Sequence, residues 1–177
     1  YHALNILNNK KCNLKIICDL KAKKKLNLPK KLQNIKFTND PNKILNDSKI
    51  NLVCIASYDN FHFNQIISAL ENNKHIFIEK PICMDNNEIK AIKQKLKKKP
   101  KLKISSNLVL RNHPNIIKLK SLIQKNKLGK IYYTEGEYNY GRIKKIVEGW
   151  RGKIKNYSII LGGGIHIIDI FGYLFLQ

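Results

Sequence analysis

Glu79, Lys80 and Pro81 follow directly on the apolar run HIFI, and an ammonium at the end of a buried strand can polarise a hydroxyl or carbonyl oxygen and stabilise charge that develops on it. The neighbouring carboxylate of Glu79 is placed to orient the amine. His166 comes after Gly162, Gly163 and Gly164, at the mouth of an apolar helix. An imidazole that titrates near neutrality is a natural proton acceptor when an alcohol is oxidised, although a histidine on an apolar face is also commonly a satisfied core residue. Asp169, three residues on, shares nearly the same helix face and is placed either to orient the ring or to bind a substrate. The glycines alone hint at a phosphate cradle, but no strand precedes them and no Lys-Ser/Thr pair follows.

A second set of residues suits a dinucleotide. Asp19 ends the β-branched run NLKIICDL, where an acid accepts hydrogen bonds from ribose hydroxyls; its other reading is a solvent-facing turn. Lys21, Lys23, Lys24 and Lys25 follow and would tolerate a 2′-phosphate, so NAD and NADP both stay open, with a lean to NAD. Ser57, Tyr58, Asn60 and His62 occupy the turn after INLVCIA, at the carboxyl end of a central strand, which is where open α/β sheets bind ligands. Asp59 or Asn60 can also serve there as a helix cap. Tyr132, Tyr133, Tyr138 and Tyr140 read as sheet packing.

The elements that must hold these residues alternate along the chain. Short strands that are apolar throughout, separated by helices such as FHFNQIISALENN and DNNEIKAIKQKLKKK, predict a doubly wound α/β domain with a parallel sheet, over residues 1–110. Asp85 is the expected cap of the second of these helices, with Glu88 three residues on. From residue 111 the pattern changes. A helix opens at Pro114 and is expected to stop at Gly129, an alternating Tyr-rich strand is expected over 130–141, and residues 141–158 read as a long connection into a Gly-rich turn and a final apolar helix. Residues 111–177 are therefore expected to begin a second, α+β domain with an open mixed sheet. A doubly wound nucleotide domain normally opens on a strand and a GxGxxG turn, and this sequence opens on what would be the helix after it. The expectation is an internal fragment, truncated at both ends, that lacks its first strand.

Composition narrows the classes. The 177 residues carry 34 Lys plus Arg against 12 Asp plus Glu, but only Arg111, Arg142 and Arg151 are arginines, and the lysines are scattered over predicted helix faces and loops. Nucleic acid is thus not the expected partner, since bidentate phosphate and base contacts favour arginine. Cys12, Cys18, Cys54 and Cys83 form no CxxC pair, and neither a disulfide nor a metal site is expected. No apolar run approaches the roughly 20 residues that span a bilayer, and the opening segment lacks a secretory apolar stretch, so a soluble cytoplasmic protein is expected.

The segment VCIASYDNFHFNQIISALENNKHIFIEKPIC closely resembles the core of the Gfo/Idh/MocA oxidoreductases, including the turn before the helix and the EKP signature. SNLVLRNHPNIIKLKSLIQKNKLGKI is similar to that family's passage between domains, and GGG followed by HxxD to its active-site helix. The resemblance implies an N-terminal dinucleotide domain, a C-terminal domain whose open sheet joins homo-oligomers, and NAD(P)-dependent oxidation or reduction of a sugar or nucleotide-sugar. Carried over residue by residue, Lys80 is the EKP lysine and His166 the catalytic histidine, while Asp19, Ser57, Tyr58, Asn60, His62 and Glu79 line the cofactor. Arg111, Trp150, Arg151 and Asp169 are the substrate candidates. The sequence departs from the family at Gly162, where many members carry aspartate, and in having no glycine-rich phosphate loop. The rival expectation is a non-catalytic nucleotide sensor or scaffold of the same fold, or a basic nucleic-acid binder.

Overall fold

The computed structural model describes residues 1–21, 23, 26–155 and 157–176, and the chain divides into two compact units. The first comprises Tyr1–Ser57, Phe61–Ile78 and Asp85–Ser105; the second comprises Tyr58–Asn60, Glu79–Met84 and Ser106–Gln177.

The first unit runs α1 (His2–Asn8), β1 (Ile16–Cys18), α2 (Lys30–Gln33), β2 (Lys36–Thr38), α3 (Asn42–Leu45), β3 (Leu52–Ile55), α4 (His62–Glu71), β4 (His75–Ile78), α5 (Asn86–Lys97) and β5 (Ile104–Ser106). β1 pairs parallel with β2, β3 pairs parallel with β4, and β5 adjoins β4. A parallel pair needs a crossover, and α4 provides the one between β3 and β4. Ile66, Ala69 and Leu70, at i, i+3 and i+4, are fully buried on its inner face, and the helix packs on both strands. Burial of each such Ile or Leu contributes about 1.5–3 kcal/mol. The doubly wound order 3-2-1-4-5-6 explains why there are two sheets. β2 and β1 match its first two places and β3, β4 and β5 its last three, while no strand among the described residues fills the centre.

Helix ends in this unit are set by particular residues. Asp85 accepts from the backbone N–H groups of Asn87 and Glu88 and caps α5 as expected. α4 ends where Asn73 takes φ +57°, letting its N–H reach the Leu70 carbonyl and the Lys74 N–H reach that of Ala69. This is a Schellman stop with asparagine in the usual place of glycine. The Lys99 ammonium donates to the carbonyls of Leu70 and Glu71 at the same end.

The second unit contains α6 (Pro114–Gln124), α7 (Ile143–Val147) and α8 (Ile165–Phe175). His113 caps α6 by accepting from the Asn115 N–H. The helix does not continue to Gly129 as expected. Asn126, at φ +51°, closes it with the same bond pair, its N–H to the Ile123 carbonyl and the Lys127 N–H to that of Leu122. The Tyr-rich run 130–141 is neither strand nor helix, and its residues are exposed apart from Tyr140. A strand exists only as a member of a ladder, and no strand lies among the described residues 107–176 to pair with it. The connection before the last helix is also more ordered than expected, holding α7 and a 3₁₀ turn, Trp150–Lys153, that packs on it. Nor do the glycines form a turn ahead of α8: Ile160–Gly164 is a π-helical turn running straight into it. No helix among the described residues is long and apolar enough to cross a membrane.

Candidate active site

The turns after β3 and β4, at the carboxyl ends of these strands, are the two short segments assigned to the second unit. That unit therefore brings together Tyr58, Asp59, Asn60, Glu79 and Lys80 with Trp150, Arg151 and His166. The Lys80 ammonium donates to the Gly162 carbonyl at 2.6 Å. Gly162 lies in the π-helical turn four residues ahead of His166, so the Lys80 ammonium is held at the start of the helix that carries the histidine. Gly162 is closely packed: an added Cβ would sit 3.2 Å from both the Tyr157 ring and Ile146, so either neighbour would have to give by a few tenths of an ångström. Gly163 is more crowded, with an added Cβ 2.9 Å from Tyr140 and 3.2 Å from Tyr138, and the Tyr138 ring lies 5.8 Å from that of His166.

The surroundings lower the pKa of both Lys80 and His166. Partial burial lowers the Lys80 pKa from its ordinary value; Arg151 adds to this and so does Lys145, while Asp59 and Glu79 oppose it. Burial likewise lowers the His166 pKa, aided by Lys80 and opposed by Asp169 and Glu79. The Nδ1 of His166 is buried without a hydrogen-bond partner, a situation proteins leave uncommon outside functional sites. Glu79 accepts from the Asn107 amide at 2.8 Å, so Asn107 holds the carboxylate beside Lys80.

Several expected roles change. Asp169 does not orient His166; its carboxylate accepts from Arg111, whose Nε lies 2.9 Å from Oδ2 and whose terminal nitrogen bonds Oδ1. Arg111 also lies over the Tyr173 ring, so these two substrate candidates clasp each other. His62 is fully buried, with Nε2 3.3 Å from the Ser57 carbonyl, and braces the turn instead of presenting a ring to a ligand. Ser57 donates its hydroxyl to Gln65. Neither Asp59 nor Asn60 caps α4 through its side chain. Lys23 donates to the Gln33 and Ile35 carbonyls, which occupies the ammonium proposed for a 2′-phosphate; Lys24 and Lys25 lie outside the described residues.

Sequence reasoning missed Asp59 and Tyr157. Asp59 is only 3% exposed, and its Oδ2 accepts the Tyr157 hydroxyl at 2.6 Å and faces Arg151 Nε at 3.4 Å. Trp150 stacks on Tyr58 at 4.5 Å, with the Arg151 guanidinium 4.2 Å from its ring centre. The signal available in the sequence was the acid itself, set in an otherwise neutral turn; nothing linked it to residues more than ninety positions away.

Asp19 tests the fit of a dinucleotide's ribose in the first unit. Asp19 is exposed just after β1, with Oδ1 bonded to the Lys21 N–H, and presents a carboxylate at the strand's carboxyl end as a ribose diol requires. Tyr58 and Asn60 are exposed after β3. The donor set fits.

The Gfo/Idh/MocA model, an oxidoreductase family with an NAD-binding Rossmann fold, matches residues 1–107, and the chain belongs to that family. It is 30% identical over 139 residues to scyllo-inositol 2-dehydrogenase (NAD(+)) of Bacillus subtilis, covering 77% of this chain and 40% of that protein. It is 25% identical to D-glucoside 3-dehydrogenase of Escherichia coli over 98% of this chain and 49% of that one. Among solved structures, myo-inositol 2-dehydrogenase of Lactobacillus plantarum shares the fold, with TM-score 0.82 at 20% identity over 98% of this chain and 52% of that chain. Scyllo-inositol dehydrogenase of Lactobacillus casei, solved with NAD(H) and scyllo-inositol, gives TM-score 0.79 at 25% identity over 98% and 52%. The chain thus spans about half the length of the relatives it matches.

Proposed function

We propose that the protein is an NAD-dependent dehydrogenase acting on a hydroxyl of a sugar or polyhydroxylated ring, with Lys80 and His166 as its catalytic residues. The observation that carries this reading is the Lys80 bond to Gly162, which sets the ammonium beside the start of the helix bearing a histidine with an unsatisfied buried nitrogen. Bound nicotinamide would take the hydride from the carbinol carbon. Asp19 would hold the adenosine ribose, and Tyr58 and Asn60 would line the cofactor.

The chain's own groups handle the oxygen and its proton. An ammonium has three donors; one is spent on Gly162, which leaves two to hold the substrate oxygen and stabilise the charge it gains. His166, with its pKa lowered, is neutral at pH 7 and ready to accept the hydroxyl proton. The similarity to sugar and inositol dehydrogenases supports the substrate class. A cytoplasmic homo-oligomer goes with the same reading.

The test is Lys80→Ala and His166→Ala in the complete protein, assayed with NAD and a panel of polyols and sugars. Each should lower turnover by about 10²-fold or more. Turnover within a factor of about ten of the parent would remove the residue from the mechanism.

A further inference from the structure

We propose that Asp59, Tyr157 and Arg151 are positioning residues for Lys80: their bonded triad fixes the wall behind the Gly162 carbonyl and holds an opposed pair of charges beside the ammonium. The inference rests on Lys80 being the group that holds the reacting oxygen, and it adds the residues that hold Lys80.

The geometry has two parts. The first is mechanical. A buried carboxylate is costly unless it is paired, and Asp59 is paired twice, with the Tyr157 hydroxyl at 2.6 Å and the Arg151 Nε at 3.4 Å. Arg151 Nε also donates to the Tyr157 oxygen at 2.8 Å, so that hydroxyl donates to one partner and accepts from the other. A ring pinned in this way cannot swing. Its edge packs against Gly162, 3.2 Å from where a Cβ would sit, and the carbonyl of the same glycine receives Lys80. Displacing the ring frees the acceptor.

The second part is electrostatic. The charged and titratable groups facing Lys80 are Arg151, Asp59, Glu79, Lys145 and His166. Arg151 and Asp59 act on it with opposite signs, and because they are bonded to each other neither can be removed without exposing Lys80 to the other. Tyr157 is the neutral bridge between them. Burial and the bond to Asp59 push its hydroxyl far above the ordinary tyrosine value, so it stays protonated as a donor.

The experiment measures the lysine without relying on turnover. In the complete protein, pulses of limiting acetic anhydride from pH 7 to 11, followed by peptide mapping by mass spectrometry, give the titration midpoint of Lys80. Asp59→Asn should lower that midpoint and Arg151→Met should raise it. At a pH below the midpoints, Lys80 should then be labelled about threefold faster in the first variant and about threefold slower in the second, the change that half a pKa unit gives. A purely structural role would move both variants the same way, toward the value of a solvated lysine, and that result, or no movement in either, overturns the proposal. Tyr157→Phe keeps the ring and removes only the hydroxyl, so it serves if a charge variant fails to fold. It should lower kcat by about tenfold, the scale of one neutral hydrogen bond, while leaving the KM for NAD within twofold; an unchanged kcat overturns the mechanical part. The outcomes separate the two readings. Opposite midpoint shifts with a fully active Lys80→Ala would keep the triad and end the proposed function. An inactive Lys80→Ala with immobile midpoints would do the reverse.

Discussion

The two units are held together by different means. In the first, Ile66, Leu70, Ile78 and Ile92 are almost wholly excluded from solvent, and regular strands and helices follow from that burial. In the second, Ile146, Ile170 and Leu174 are the buried apolar side chains outside the two short turns, while Tyr132, Tyr133, Val147, Ile160 and Ile168 remain exposed. Its order comes from directional contacts instead: Lys80 on Gly162, Tyr157 on Asp59, Asn107 on Glu79 and Arg111 on Asp169. Apolar burial is tolerant of small shifts and a hydrogen bond is not, so the unit with the weaker core is the one whose side chains are most closely placed.

This contrast can be broken at either end. Leu70→Ala in the first unit should have the largest effect, about 2–5 kcal/mol of destabilisation by urea titration, because the side chain is fully buried. A loss below about 1 kcal/mol would mean the apolar account of that unit is wrong. Asp85→Ala, which removes the cap of α5, should cost about 1 kcal/mol by the same titration. Arg111→Met in the second unit should cost about 1 kcal/mol or less, since Arg111 is 45% exposed and solvent screens the pair. A cost matching that of Leu70→Ala would show that the directional contacts carry the stability as well as the placement.

The smallest expected effect is a pH dependence. His166 has a folded pKa below its ordinary 6.5, so as pH falls through 6.5 the unfolded chain takes the proton first and the folded state loses stability; above 6.5 that penalty is absent. His166→Gln removes it. The stability of the variant relative to the parent should therefore be greater at pH 5 than at pH 7.5, and an equal difference at both would show that the ring is not desolvated.

What could be read from the sequence follows the same division. The strands HIFI and LVCI and the stripe Ile66, Ala69, Leu70 announce themselves, because burial imposes a period on residues close in the chain. Lys80 and His166 stand out in the sequence as candidates at the ends of such elements. The stop of α6 was misplaced because Gly129 is the conspicuous breaker, while Asn126 does the work with a side chain that tolerates positive φ. The Tyr-rich run has the alternation of a strand, but alternation does not create the partner a ladder requires. The Asp59–Tyr157–Arg151 triad and the Arg111–Asp169 clasp were beyond reach for a different reason: a single polar contact between distant residues leaves no period behind it.

The acceptor that holds Lys80 is main chain, and this shapes how the site can vary over generations. A codon change at position 162 can crowd Tyr157, but no replacement of one amino acid by another deletes a carbonyl oxygen. Loss of that anchor requires a slip in phase instead. Inserting or deleting one residue in the helical segment just before Gly162 would rotate the oxygen around the axis and leave the amine facing a different atom. The segment should therefore accept changes of residue type more readily than changes of length.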